Sequence, residues 1–208
     1  VALFLVALVL TTFSFSSGMF SQHQKLVETL DNFERAVRFS QDESVLRNRI
    51  VRLLIRFDGE NQNFSVEYGP DADFVLPAQF LMKSEEADLL DEKELAKKKD
   101  QINKAFSKVE EFLEEPEEIN DLVRIIGVGS SLTNTLQLND GANLFAYPSG
   151  EKDAALIIVA TDEEIATLEV EPFTMDFKRN FYRIEGETGD LLDFQIQKAK
   201  SLYEEWLK

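Results

Sequence analysis

His23 is the only imidazole in the chain and no cysteine accompanies it, so thiol nucleophiles, cysteine-ligated zinc and disulfides are excluded at once. A single imidazole cannot complete a metal centre, and nothing near it in sequence supplies a nucleophile for it to activate. His23 reads as a solvated residue just after an apolar run, at the level of lipid headgroups if that run enters a bilayer. Paired carboxylates are the other chemistry on offer. Glu85-Glu86, Glu110-Glu111, Glu114-Glu115 and Glu117-Glu118 would serve acid–base catalysis only if the two members of a pair converged. Neighbours at i and i+1 on a helix point in different directions, and so many like charges together form a solvated face. Glu110, Glu111, Glu114, Glu115, Glu117 and Glu118 are therefore candidates for a partner-selecting face.

Asp71 and Asp73, and the run Asn139-Asp140-Gly141, look like fragments of oxygen-ligand calcium loops. They lack the full ligand series and the terminal bidentate glutamate, and read as turns. Gly127-Val128-Gly129-Ser130-Ser131 has the glycines of a phosphate cradle, but no Lys-Ser/Thr pair follows and no helical pattern begins there. It reads as a loop after a strand. Nothing assembles nucleophile, base and oxyanion site. A non-enzymatic protein is expected, with no catalytic residue, no cofactor and no metal assigned.

Composition narrows the partners. Thirty-nine acidic against twenty-two basic residues give a formal net charge of -17, which repels phosphate backbones, so no nucleic acid is expected. A chain of 208 residues suffices for one well-buried domain with appendages. Seventeen Phe against one Trp and four Tyr make phenylalanine the aromatic filler of its core.

The element that dominates the pattern comes first. VALFLVALVL is wholly apolar, and TTFSFSSGMF continues without a charge to Phe20. About 20 residues of helix rise roughly 30 Å, enough to span the hydrocarbon of a bilayer. Val1, Leu3, Phe4, Leu5, Val6, Leu8, Val9, Leu10 and Phe13 are the residues expected to face membrane or filament core. A cleaved signal peptide would need a basic region before the apolar run. The helical pattern also continues past that run: Leu26, Leu30, Phe33 and Val37 recur at i, i+4, i+7 and i+11, with charges on the other faces. One helix is expected to about Arg47, roughly 70 Å long, whose first half needs a membrane or the packed helices of a filament around it.

Beyond Asn48 the period becomes two. Val51, Leu53, Ile55 and Phe57 alternate with Arg52 and Arg56, giving one apolar and one largely polar face. Asp58-Gly59 turns the chain, and Phe64, Val66 and Tyr68 return it. Residues 84–116 are charged and rich in helix formers, with an apolar stripe of Ile102, Phe106, Val109 and Leu113 and a stop at Pro116. Strands follow at 122–128, around Leu136, at 143–147, 154–160 and 166–170, most simply as an antiparallel sheet. From Gly189 an amphipathic helix carries Leu192, Ile196, Ala199, Tyr203 and Trp206. The expected class is α+β. Residues 1–22 form a transmembrane or filament-core helix and 23–49 an amphipathic stalk. Residues 50–188 form a β-rich head with a helical insertion at about 84–116, and 189–208 a closing helix.

The run VALFLVALVL, the stalk, and RAVRFSQDESVLRNRIVRLLIRFDGENQNFSVEY together resemble the type IV pilin-like proteins, closest to the H-type minor pseudopilins of type II secretion. There the stalk ends in a segment of the kind A-R-S-E-A-I-x-R-N-x-x-V-x-L-x-F, and Arg47, Asn48, Val51, Leu53 and Phe57 occupy its places. Tyr147, Pro148 and Gly150 match the family's F-x-P-x-G turn. Pro172 and Thr174 match P-x-T-G, with Met175 in place of the glycine. The resemblance covers about two thirds of the chain. It implies a structural subunit of a short periplasmic pseudopilus, single-pass in the bacterial inner membrane with its head in the periplasm. The implied partners are other pilin-like subunits, the inner-membrane assembly platform and the lipid bilayer. Mature pilins open with a methylated Phe and carry Glu at the fifth place, so the leader and first mature residues are expected to precede Val1. A minor pilin of a type IV pilus, or a signal-anchored periplasmic binding module, are the alternatives.

Overall fold

A single helix, α1, occupies Ala2–Arg47 without a break. The computed structural model describes residues 2–57, 61–71, 73–76, 92–112, 116–185 and 189–208; the side chains of 2–20, 92–96, 98 and 99 lie outside that description. The expected seam is present, since Leu26, Leu30 and Phe33 are fully buried and Val37 is 4% exposed. Ala36, Ser40, Gln41 and Ser44 prolong it toward the C-terminus. Polar members are accommodated by bonding backward: Thr29 Oγ1 donates to the Lys25 carbonyl and Ser40 Oγ to that of Ala36. Asn48 ends the helix with φ 50°, a left-handed cap that lets the Arg49 N–H return to the Ser44 carbonyl at 3.1 Å.

Among the described residues ten strands follow, in two five-stranded antiparallel sheets where the alternation indicates one. In the first sheet β1 (Val51–Arg56) lies between β2 (Asn63–Tyr68) and β7 (Gly141–Ala146), with Val51 opposite both Tyr68 and Ala146. Two short strands, β3 (Ser107–Lys108) and β4 (Glu117–Glu118), add to the far side of β2. The second sheet has the order β10 (Phe177–Arg183), β9 (Glu164–Val170), β8 (Ala155–Ala160), β5 (Arg124–Ser130), β6 (Thr135–Gln137). Two helices complete the described chain, α2 (Glu92–Ala105) and α3 (Leu191–Trp206).

The stalk seam packs against the inner faces of both sheets in one core that includes Leu53, Ile55, Phe64, Leu144, Ile157 and Leu168. Helix α3 covers the outer face of the second sheet, where Ala199, Leu202 and Tyr203 meet Ile126, Leu156 and Ile158. This explains why AALIIVA does not alternate: Ala155, Ile157 and Val159 face the stalk while Leu156, Ile158 and Ala160 face α3, so β8 is apolar on both sides. A bulge between Ile125 and Gly127 returns Val128 to the same side as Ile125, three residues away.

Three expectations need correction. Gly127 and Gly129 stand within β5, not in a loop after it. A Cβ on Gly129 would overlap the Tyr203 ring, whose hydroxyl donates to the Ser130 carbonyl at 2.9 Å, so the glycine lets α3 lie flat on the sheet. Gly129→Ala is expected to cost about 1–3 kcal/mol by overpacking. Most of that loss should vanish in a Tyr203→Leu background, a non-additivity readable by denaturant unfolding.

The second correction concerns the inserted segment, whose helix ends at Ala105. Phe106 leaves it to pack with Phe74 and Phe145, and Val109, 1% exposed, gives its N–H to the Val66 carbonyl at 3.0 Å. Pairing with the open edge of β2 offers these residues both burial and a backbone partner, which a continued helix would not. Leu113 lies outside the described residues. The third difference is β10, at 177–183, a segment to which no strand is assigned from the sequence and where three cations and an asparagine stand among the aromatics.

Candidate assembly site: the stalk and its contacts

Polar contacts fasten α1 to the head along its described side chains. His23 Nδ1 lies 2.7 Å from Glu164 Oε2 and its ring 5.2 Å from that of Phe181, so it is a contact of the β8–β9 turn, not merely a solvated residue. Arg179 of β10 reaches Glu34 and Asp31, each at 2.7 Å. On the opposite flank Glu117 accepts from Arg35 at 2.8 Å and from Asn32. Arg38 lies over the Phe177 ring at 4.8 Å. At the far end Glu43 accepts from the Tyr68 hydroxyl at 2.5 Å and from Arg47 at 3.2 Å. Burial, then the Glu43 carboxylate, push the Tyr68 phenol up to about 12. Contacts on both flanks hold the helix direction fixed relative to both sheets.

The positions that match the pilin-like turns meet at this same end of the stalk. Gly150, with φ 87°, closes the turn by donating to the Tyr147 carbonyl at 2.9 Å, and Ser44 Oγ donates to that same carbonyl. Gln41 Nε2 donates to the Gly150 carbonyl at 2.5 Å. Lys152, 5% exposed, donates to Gln41 Oε1 at 2.9 Å and to the Thr174 carbonyl at 2.5 Å. Burial, helped by Arg38, holds its ammonium below the usual lysine value. Beside it the Asp153 carboxyl accepts from the Phe145 N–H at 2.9 Å and the Tyr147 hydroxyl at 3.0 Å, and burial raises it above the ordinary carboxylate value. A buried amine next to a buried carboxyl has the look of catalytic machinery. The cavity they line with Val37, Ser40 and Leu53 holds only about 10 Å³, room for at most one water. They tie two turns to the stalk.

A buried group that the sequence reading took as a polar sheet face sits on the other side of β1. Arg52, 1% exposed, donates to Glu67 Oε2 through Nε at 2.8 Å and Nη2 at 2.6 Å, and through Nη1 to Asn103 Oδ1 at 2.6 Å. Its guanidinium lies 3.9 Å from the centroid of the Phe106 ring. Arg52 and Glu67 are direct cross-strand partners, which the hairpin register would have shown; the cover provided by residues 103–106 would not have been visible.

The acidic residues separate. Glu110 and Glu111 are exposed, with Glu111 3.3 Å from Arg47, while Glu114 and Glu115 lie outside the described residues. Glu118 is exposed on β4, but its neighbour Glu117 turns toward the stalk. Charge reversal should therefore split them: Glu118→Lys is expected to leave thermal unfolding nearly unchanged. Glu117→Lys should lower stability by about 1–3 kcal/mol, because it places a cation against Arg35 and orphans Asn32.

The calcium-like fragments are turns. Asp71 Oδ1 accepts the Asp73 N–H at 3.1 Å, and Asp140 has φ 64° in a turn where the Gly141 N–H meets the Asn139 carbonyl at 2.9 Å. Among the described residues no three His, Asp or Glu side chains are placed to hold a metal ion. Among the described residues, too, no helix is long and apolar enough to cross a membrane. The side chains expected to do so, Val1, Leu3, Phe4, Leu5, Val6, Leu8, Val9, Leu10 and Phe13, lie outside them, although the helical backbone runs on through Ala2. No family model matches the chain, and neither a curated protein nor a solved structure matches it.

Proposed function

We propose that this chain is a non-enzymatic, pilin-like structural subunit, a minor pseudopilin that helps assemble a short periplasmic pseudopilus of a type II secretion system. The observation that carries the proposal is the division of one 46-residue helix. From Leu26 onward its apolar seam is consumed by the head, whereas the twenty residues before Ser21 carry no charge in sequence. A rigid stalk continuous with an uncharged helix is the form a subunit needs if apolar helices pack in a filament core and heads face outward. The resemblance in the stalk end and the two turns supports the same reading, and the first of those turns is bonded to Gln41 and Ser44.

On this reading the first half of α1 resides in the inner membrane before assembly and among sister helices afterwards. The head lies in the periplasm, and the membrane platform extracts the subunit. Photo-crosslinking residues introduced at Leu5 and Phe13 are expected to capture lipid and other pilin-like subunits in intact cells.

A further inference from the structure

Sheet edges are where a folded chain still has backbone hydrogen bonds to offer. Most edges in this protein are short or occupied. Strand β6 has three residues, and β3 and β4 have two each. The end of β7 is taken up by residues 151–153, with the Tyr147 N–H on the Glu151 carbonyl and the Asp153 N–H on the Phe145 carbonyl, both at 2.8 Å. Strand β10 differs. Its seven residues pair with β9 in an uninterrupted register, and among the described residues no strand lies on its other side. The Ile184 N–H donates to the Glu163 carbonyl at 2.9 Å, which fixes the alternation of that ladder. Lys178, Asn180 and Tyr182 spend their backbone groups on β9, while Phe177, Arg179, Phe181 and Arg183 turn theirs outward.

The cations of β10 have partners within the chain: Asp31 and Glu34 hold Arg179, and Glu171 holds Lys178 at 2.8 Å. Their effect on the edge is to decide which strand registers are allowed, because like charges facing across strands are destabilising. Lay a second β10 antiparallel to the first, with Asn180 opposite its own copy, and Arg183 faces Phe177, Lys178 faces Tyr182 and Arg179 faces Phe181. Every cation meets an aromatic ring, and no two cations meet. The outward groups of Arg179 then oppose those of Phe181, and those of Phe177 oppose those of Arg183, so each such pair exchanges both its hydrogen bonds. A slip of two residues sets Arg179 against Arg179 in one direction and against Arg183 in the other. A slip of one sets the outward groups against residues whose own groups are spent on β9.

We propose that β10 pairs with the β10 of a second copy of this chain about a two-fold axis at Asn180, so that the second sheets of both copies become one continuous sheet. Asn180, Phe181 and Arg183 are exposed along this edge. The pairing also sets the direction of the stalks. Helix α1 passes β10 with His23 at Phe181, Glu34 at Arg179 and Arg38 at Phe177, so it runs antiparallel to the strand, and the two-fold axis points the two stalks in opposite directions. Copies standing in one bilayer or along one filament have stalks that point the same way. The pair and the assembly proposed above are therefore exclusive states of the chain, and the inference rests on the strand edge alone, not on the membrane reading.

The chain has no cysteine, so a single introduced thiol reports the register. In the full chain in detergent micelles, Asn180→Cys is expected to form a disulfide dimer under mild oxidation at least about tenfold faster than Lys178→Cys, whose two copies stand about 13 Å apart along the ladder. On dimerisation of the unsubstituted chain, the amides of 177, 179, 181 and 183 should exchange about tenfold more slowly, while those of 178, 180 and 182, already bonded to β9, change little. Phe181→Lys, which places a cation opposite Arg179, should weaken the dimer at least about tenfold in sedimentation equilibrium, whereas Phe181→Glu should leave it as tight or tighter. A monomer at millimolar concentration, equal loss of pairing in Phe181→Lys and Phe181→Glu, or slowed exchange centred on another strand would each overturn the proposal. So would a dimer held by the uncharged half of α1, in which Asn180→Cys cross-links no faster than Lys178→Cys.

Discussion

Truncating Arg52 to methionine is expected to destabilise the head by about 3–5 kcal/mol, the cost of leaving a carboxylate buried without its cation. Both partners are inside, with side-chain exposures of 2% for Arg52 and 7% for Glu67, so water cannot replace the lost contacts. Burial pulls the Arg52 guanidinium below its ordinary value and Glu67 counters this, which marks a pair that depends on its geometry. Glu67→Met should cost a similar amount, while the double replacement should recover most of the loss because two apolar chains then share the space. Arg56 approaches the same carboxylate at 3.8 Å but is 40% exposed, and Arg56→Ala should cost less than about 1 kcal/mol. Urea unfolding measures all four. Hydrogen exchange adds a local signature: without Arg52, Asn103 and Phe106 lose their anchor, so amides from 103 to 109 should exchange faster than the rest of the sheet.

The second large effect belongs to the other end of the chain. If the first half of α1 spans the bilayer as proposed, Leu5→Lys together with Leu8→Lys should reduce the membrane-to-soluble ratio of the full chain by about ten-thousandfold. Each charge at the centre of a spanning helix costs about 2.5–3.5 kcal/mol, and a tenfold change in partition corresponds to about 1.4 kcal/mol. Leu46→Lys is the matched control, since Leu46 is on the same helix, 73% exposed and at its far end. It should leave partition unchanged. Neither substitution should alter unfolding of the head, whose seam on α1 begins at Leu26.

How far the sequence disclosed this arrangement can be followed residue by residue. The stalk was legible because Leu26, Leu30, Phe33 and Val37 obey a helical period and all four are buried in one core. The first hairpin was legible for the same reason in a period of two, and its register is regular from Val51 to Arg56. Periodicity reports which face of an element is apolar, but not what covers the other face. Arg52 alternates like a solvated residue and becomes buried only because residues 103–106, fifty positions away, fold over it. The spacing of Phe106 and Val109 fits a helix as well as it fits a chain dropping into the edge of β2, and tertiary burial decides between them. Strand β10 escaped because its charged residues break the apolar alternation, and Arg179 stands on the stalk side only because Asp31 and Glu34 of α1 receive it. The small buried polar set of Gln41, Lys152, Asp153 and Tyr147 gave no signal at all, being dispersed over more than a hundred positions.

One measurement bears most directly on the proposed role. Photo-crosslinking residues placed at Leu5 and Phe13, with Leu46 as a control, are activated in cells that express the secretion apparatus, and the adducts are identified by mass spectrometry. The expected result is adducts with lipid and with pilin-like subunits from Leu5 and Phe13. Chain released into the periplasm after cleavage of its first twenty or so residues, or membrane-bound chain whose Leu5 and Phe13 capture lipid but never a pilin-like neighbour, would contradict it.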